Sequence, residues 1–116
     1  MKEDDLVIAI LDALARAGWR CCHFRTARTQ HGWRTAVQGH AGAPDIIAVH
    51  PTRGVLLIEC KSEKGVLRPE QKDWASWCLA AAEQYPDAIR YVLVRPKDWM
   101  TGELDALLGY GPGATA

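Results

Sequence analysis

The chain has 116 residues, 48% of them hydrophobic, and a formal net charge of zero, which suits one globular domain. A chain of this length buries roughly two thirds of its unfolded surface, so it needs no disulfides to fold. No apolar stretch is long enough to span a bilayer, and the acidic residues 1–5 do not resemble a signal peptide, so we expect a cytoplasmic protein without membrane contact.

The first third of the chain predicts a helix, a strand and a long polar segment. Apolar side chains recur at helical spacing, with Asp4 or Asp5 as the expected N-cap and Gly18 as the end. Residues 19–25 then predict a strand. Residues 26–42 show no clean period, so they predict a long loop or a short hairpin that contacts substrate or forms a dimer arm.

An apolar hairpin is predicted next. Residues 46–49 and 55–58 are rich in β-branched residues and leucine, and residues 51–54 form a turn cluster of Pro, Thr, Arg and Gly. One register of this hairpin pairs His50 with Gly54.

Three ionisable side chains lie at the ends of this apolar hairpin. The same register places Asp45 opposite Glu59, whereas a slip of one residue places it opposite Cys60; paired Cβ atoms lie roughly 4.5–5.5 Å apart. Glu59 and Lys61 are two residues apart, so they share a face. Two carboxylates this close repel each other unless a cation separates them, and oxygen ligands suit Mg²⁺ or Mn²⁺. The hairpin therefore predicts a divalent-metal site with a lysine beside it, the parts needed for phosphodiester hydrolysis.

A second helix is predicted from Pro69 to about residue 84, because proline suits the first helical turn. Gln71 lies one turn into this helix and can orient water or a metal-bound group. For its tryptophans we favour core packing over base stacking. The face expected to pack on the sheet carries Trp74, Trp77, Cys78 and Ala81.

The remaining chain predicts a strand at residues 89–95 and a short helix with Thr101 as its N-cap. Its inward positions are expected to be Leu104, Leu107 and Leu108. The element order then implies an α/β domain, a mixed sheet flanked by helices with an αβββαβ core. We expect one domain over residues 1–108 and a flexible tail over residues 109–116.

The motif Pro44-Asp45 followed by Glu59-Cys60-Lys61 resembles the PD-(D/E)XK nuclease superfamily, and a longer pattern resembles its VRR-NUC branch, the virus-type replication-repair nucleases. That pattern comprises GAPDII at residues 42–47, LIECK at 57–61, KGVLRPEQ at 64–71 and YVLVRP at 91–96. The resemblance implies the restriction-endonuclease-like fold.

The resemblance also implies roles for individual residues. Asp45, Glu59 and the backbone carbonyl of Cys60 match the metal ligands, Lys61 the catalytic lysine, and Gln71 the glutamine of the following helix. Glu3 matches the acidic residue of the first helix, with Asp4 and Asp5 as neighbouring alternatives.

By the same resemblance we expect a Mg²⁺- or Mn²⁺-dependent DNA endonuclease without an organic cofactor. Its expected substrates are flapped or branched DNA, including Holliday junctions, during replication, repair or recombination. The expected form is a homodimer in the cytoplasm of a bacterial or phage-infected cell. The alternative is a non-catalytic nucleic-acid-binding module on the same fold.

Positive charge is concentrated around the predicted site despite the zero net charge. Residues 20–72 hold nine basic side chains and four acidic ones, and the rest of the chain holds five basic and ten acidic. Such local positive potential attracts phosphates. The expected substrate contacts are Arg25, Arg28, Arg34, His40, Lys64, Arg68 and Lys72.

Overall fold

A computed structural model describes residues 1–24, 27–29, 32–34 and 38–108, with only the backbone described for 27–29, 32–34, 106 and 108. The elements are α1 (Glu3–Arg16), β1 (Arg20–His23), β2 (Ala27–Thr29), β3 (Gly32–Arg34), β4 (Ile46–His50), β5 (Gly54–Cys60), α2 (Pro69–Gln84), β6 (Ile89–Val94), α3 (Pro96–Met100) and α4 (Asp105–Leu108). Within these ranges, no helix has the length and apolar character needed to cross a membrane.

Four strands form a mixed sheet in the order β1-β4-β5-β6. The β1–β4 and β4–β5 pairs are antiparallel, and β5–β6 is parallel. The parallel pair requires a crossover, which α2 supplies. The prediction of a mixed sheet flanked by helices is therefore confirmed.

A separate two-stranded sheet lies within the polar segment before β4. There β2 and β3 pair antiparallel, with Arg28 opposite Trp33. Of the two predictions for residues 26–42, the short hairpin is the one that the structure contains. Its expected role as a substrate contact or dimer arm stays a prediction.

The two faces of the main sheet are covered by different helices, because side chains alternate between faces along a strand. On β5, Leu56, Ile58 and Cys60 belong to the core under α1, so Glu59 points to the opposite face. The core under α1 contains Leu6, Val7, Ile10, Ala13, Leu14, Trp19, Ile46, Ala48, Leu56, Ile58, Cys60, Val94 and Leu104.

The start of α1 differs from the prediction. The helix begins at Glu3, so Asp4 and Asp5 lie inside its first turn instead of capping it. The backbone N–H of Lys2 donates to Asp5 Oδ2 at 3.1 Å. Carboxylates are favourable throughout a first turn because of the helix dipole, which explains why their position alone misplaced the cap. The helix ends before Gly18, whose φ is +91°, in agreement with the prediction.

The predicted packing face of α2 is correct for Cys78, which is buried, and wrong for Trp77, while Trp74 and Ala81 are half-buried. Trp77 is 81% exposed, and the buried positions of the helix are Gln71, Ala75 and Cys78. These three positions follow helical spacing but include a polar residue, so a search for apolar periodicity alone passes over them. Trp74 is half-buried, and its Nε1 donates to the His40 carbonyl at 3.2 Å.

The C-terminal segment forms two short helices where one was predicted, with Thr101 between them. Pro96 begins α3, and the Arg95 backbone N–H donates to Asp98 Oδ2 at 2.9 Å, so this turn forms before Thr101. Thr101 therefore terminates α3 and is no N-cap. Leu104 is buried as predicted and Leu107 packs against the core, while the side chain of Leu108 and residues 109–116 lie outside the described part.

Candidate functional site

The hairpin register brings the predicted carboxylates together. His50 pairs with Gly54 and Ile46 with Ile58, so one further step places Asp45 opposite Glu59. The register slipped by one residue, which would have put Asp45 opposite Cys60, is excluded. Because side chains alternate along β5, Glu59 and Lys61 share the face covered by α2.

Asp45 is held in place by the backbone of the neighbouring strand. Its Oδ2 accepts a hydrogen bond from the Cys60 N–H at 2.7 Å. In an extended strand the N–H and C=O of one residue point to the same side, so the Cys60 carbonyl also faces Asp45. The Asp45 carboxylate and this carbonyl therefore lie on the same side of β5, and their roles as metal ligands stay predictions.

Glu59 is the most unusual group of the site. Only 1% of its surface is exposed, and its Oε1 is buried without a hydrogen-bond partner in the described structure. The pKa of Glu59 is raised to about 9 by burial first, then by a hydrogen bond to Asp45 and by the charge of Asp45, against the opposing effect of Lys61.

These properties of Glu59 fit a bound cation. A buried carboxylate oxygen without a partner costs free energy, and a second acid beside it adds repulsion. A divalent ion between the two carboxylates would remove both costs and favour the ionised form of Glu59. Oxygen ligands of this kind suit Mg²⁺ or Mn²⁺.

Lys61 is buried, and its ammonium has a defined partner. Its Nζ donates to Gln71 Oε1 at 2.9 Å, and only 8% of the residue is exposed. The same oxygen of Gln71 accepts the Arg68 backbone N–H at 2.9 Å, at the start of α2. Gln71 thus links the Lys61 side chain to the first turn of α2, and the Lys61 ammonium lies beside Glu59.

The expected contribution of the first helix is weaker. The charge of Glu3 acts on Glu59 and raises its pKa, but by less than burial, Asp45 or Lys61 changes it. Among the residues whose positions are known, no three His, Cys, Asp or Glu side chains come close enough to hold a metal together. The ligand roles of Asp45, Glu59, the Cys60 carbonyl and Glu3 therefore stay predictions.

Three of the predicted DNA contacts are solvent-exposed near the site. Lys64 lies in the loop after Lys61, Arg68 precedes α2, and Lys72 lies in its first turn. The Arg68 guanidinium forms an ion pair with Glu70 Oε1 at 3.0 Å. An exposed ion pair contributes little free energy, so a DNA phosphate can replace Glu70 as the partner of Arg68.

The other predicted contacts are placed differently. His40 is exposed and lines a groove of about 410 Å³ with Asp73, Trp74 and Trp77. Arg28 and Arg34 lie on β2 and β3, where only the backbone is described, and Arg25 lies outside the described residues.

Two residues near the site were missed as functional candidates. Tyr91 has a buried hydroxyl without a hydrogen-bond partner in the described structure, and burial followed by the charge of Glu59 raises its pKa to about 12. Arg95 contacts the loop that follows Lys61. Both lie in the segment YVLVRP, and a polar group within such an apolar strand is a signal that sequence reading can use.

Gly42, three residues before Asp45, lets the chain pass close to the backbone of α2, and this gives a testable prediction. Its φ is +98°, and a Cβ there would lie 2.7 Å from the Glu70 backbone carbonyl, one residue before Gln71. We expect Gly42→Ala to lower the free energy of unfolding by roughly 2–4 kcal/mol, since strain and overpacking add. Urea denaturation measures this.

Gly39 supplies the matched control for that measurement. Its φ is +95°, and a Cβ there would meet no atom of the described residues within 4 Å, so Gly39→Ala carries the backbone strain without the collision with Glu70. The difference between the two variants isolates the contact with Glu70. Equal destabilisation by both variants would show that this close approach has no energetic weight.

Comparison with known proteins gives a family, and solved structures with a similar chain fold. The model of the family described as the VRR-NUC domain matches residues 9–84. No curated protein matches this sequence. One similar solved structure is Hjc from Archaeoglobus fulgidus, a Holliday junction resolvase from an archaeal hyperthermophile, which is 22% identical in sequence with a TM-score of 0.41. The match covers 77% of this chain and 66% of Hjc, so this chain spans just under two thirds of the length of Hjc.

Proposed function

Because this chain belongs to the VRR-NUC domain family of PD-(D/E)XK-type nucleases, we propose that it is a Mg²⁺- or Mn²⁺-dependent DNA endonuclease, with residues 1–108 as the catalytic domain. The observation that carries this proposal is the buried oxygen of Glu59 beside Asp45, which has no hydrogen-bond partner among the described residues, with the Lys61 ammonium on the same face. This is an arrangement of charges that a divalent ion and a phosphate would complete.

Each residue has a distinct task in the proposed reaction. Asp45, Glu59 and the Cys60 carbonyl hold the divalent ion, which supplies Lewis-acid activation of water and of the scissile phosphate. Lys61 places a positive charge beside that phosphate and stabilises the negative charge that develops in the transition state. Gln71 holds the Lys61 ammonium in position before substrate arrives, so little reorganisation is needed.

We propose branched or flapped DNA as the substrate and a homodimer as the active form. Family membership and the excess of basic residues between residues 20 and 72 support DNA as the partner. A dimer would present two sites to two strands, as cutting a four-way junction requires. The cysteines at 21, 22, 60 and 78 are free thiols, which suits the reducing cytoplasm of a bacterial or phage-infected cell.

The test is a substrate panel assayed with Mg²⁺ and with Mn²⁺. Linear, flapped, splayed and four-way DNA are incubated with the wild-type protein and with Lys61→Ala, which we expect to lose about 10²–10³-fold in kcat. Lys97→Ala is the matched control. Lys97 is exposed on α3, so this variant should cleave DNA as fast as the wild type.

The same panel separates catalysis from binding alone. Binding of branched DNA by the wild type without cleavage in either metal would contradict the proposed activity and favour a non-catalytic binding module. Cleavage of linear duplex as fast as of the branched substrates would contradict the proposed substrate class. Analytical ultracentrifugation with and without a four-way junction tests the proposed dimer.

A further inference from the structure

The side chain of Arg95 gathers three backbone carbonyls of one loop. Arg95 directly follows β6, and its Nη1 donates to the carbonyls of Ser62 at 2.6 Å and Gly65 at 2.7 Å, with a longer contact to Glu63 at 3.3 Å. These carbonyls belong to residues 62–65, the loop that begins directly after Lys61. Nη1 carries two N–H groups, which suffice for the two short hydrogen bonds, while the Glu63 carbonyl shares one of them at the longer distance.

The loop has further attachments at the same junction. The Lys61 backbone N–H donates to the Val94 carbonyl at 3.0 Å, and the Lys97 N–H donates to Glu63 Oε1 at 2.7 Å. Within the loop, the Gly65 N–H donates to the Ser62 carbonyl at 3.3 Å. The loop is therefore docked onto the turn between β6 and α3, with Arg95 as its central contact.

The charge of Arg95 is what makes the loop conformation favourable. Carbonyl oxygens carry partial negative charge, and several that converge on one point repel one another unless a cation lies between them. With a smaller uncharged residue at position 95, the Ser62 and Gly65 carbonyls would face each other across a gap and turn toward water. The direction in which the chain leaves β5 would then be held only by the contacts of Lys61 with Val94 and of Glu63 with Lys97, which constrain the loop less tightly.

The position of Lys61 depends on that direction. Its side chain must reach Gln71 Oε1, and the chain must then cross residues 62–68 to begin α2. A shift of the loop moves the lysine backbone and the start of the helix relative to each other. We propose that Arg95 is a positioning residue that holds Lys61 in its catalytic place by clamping the loop at residues 62–65.

This inference rests on the proposed nuclease activity, and its test has a readout that does not need activity. Arg95→Ala is compared with Arg90→Ala, a change of the same residue type on β6, whose Nη2 donates to the Arg53 carbonyl at 3.1 Å at the other end of the strand. Hydrogen exchange of the backbone amides should quicken over residues 62–67 only in Arg95→Ala, with the amides of β5 unchanged.

The kinetic readout separates positioning from general destabilisation. On a four-way DNA junction with Mn²⁺, we expect Arg95→Ala to lose about 10²-fold in kcat, since a misplacement of about 1 Å can cost that much. KM should change by less than about threefold, because Arg95 does not meet the substrate. Added guanidinium ion at low millimolar concentration should restore part of the lost kcat in Arg95→Ala and none in Arg90→Ala.

Opposite results would overturn the inference. Equal kcat values for Arg95→Ala and Arg90→Ala, or unchanged exchange over residues 62–67, would show that the clamp does not position the lysine. A loss confined to KM would instead make Arg95 a substrate contact, which also contradicts it. A wild-type protein that cleaves no DNA would remove the proposed function, while hydrogen exchange would still decide whether Arg95 orders the loop.

Discussion

Replacement of Asp45 by alanine is expected to abolish divalent-ion-dependent DNA cleavage in a protein that still folds. The carboxylate supplies one of two acidic ligands, and loss of an ion that stabilises transition-state charge by several kcal/mol corresponds to about a 10³-fold or larger loss of kcat. Folding should survive because the removed group is not part of the apolar core. The substitution removes the acceptor of the Cys60 N–H, which Asp45 Oδ2 meets at 2.7 Å, and water can take its place at this partly exposed position.

The measurement pairs cleavage kinetics with metal titration by calorimetry. Asp45→Ala should bind Mn²⁺ much more weakly than the wild type and show a circular dichroism spectrum like that of the wild type. Asp87→Ala is the matched control, since Asp87 is exposed in the turn before β6. Wild-type cleavage by Asp45→Ala would reject the assignment of Asp45 as a metal ligand.

Replacement of Glu59 by glutamine is expected to stabilise the metal-free protein and inactivate it. Burial and the neighbouring Asp45 raise the pKa of Glu59 from 4.5 to about 9, so the folded state favours the protonated form. The stability that this group contributes is present below pH 4.5 and is lost as the pH rises through about 9. Glutamine cannot ionise, so the variant should not lose stability over this range.

Thermal denaturation in a chelating buffer tests whether the inactive Glu59→Gln variant is more stable than the wild type. At neutral pH, Glu59→Gln should melt higher than the wild type by roughly 10 °C, which corresponds to about 2–3 kcal/mol for a domain of this size. The difference should shrink toward pH 4.5, the ordinary pKa of the carboxyl. Mn²⁺ should raise the melting temperature of the wild type and have little effect on the variant, which should not cleave DNA.

The exposed Glu83 at the end of α2 gives the control for the same substitution. Glu83→Gln should leave both the melting temperature and the response to Mn²⁺ unchanged. If Glu59→Gln were no more stable than the wild type at neutral pH, the carboxyl of Glu59 would not be strained in the metal-free fold. That result would contradict the proposal that a bound cation relieves an unfavourable free energy at Glu59.

The hairpin that carries the site could be predicted because its signals are local. The turn at residues 51–54 fixes the pairing of His50 with Gly54, and strand periodicity then determines which residue faces Glu59. These relations involve residues close in sequence, and a slip would have moved every apolar side chain of the hairpin to the wrong face. For the same reason Pro69 correctly marked the start of α2.

The packing of α2 could not be read in the same way. Apolar spacing favoured a face containing Trp77, but the helix turns that residue to solvent. The buried face of the helix includes Gln71, which accepts a hydrogen bond from Lys61, a polar contact ten residues apart in the chain. A buried polar pair leaves no trace in a search for hydrophobic periodicity, since either residue alone resembles a surface group.

The amino-acid sequence by itself determined the family and most element types, and it limited the residue opposite Asp45 to Glu59 or Cys60, since motifs, turns and strand periodicity act over short stretches of chain. The structure then showed that Glu59 is the residue opposite Asp45. Only the tertiary structure decided how deeply Glu59 is buried, which face of α2 meets Lys61, and that Arg95 reaches the loop at residues 62–65. These depend on contacts between segments up to 33 residues apart, whose free energy arises from the assembled sheet and helices and not from any one segment.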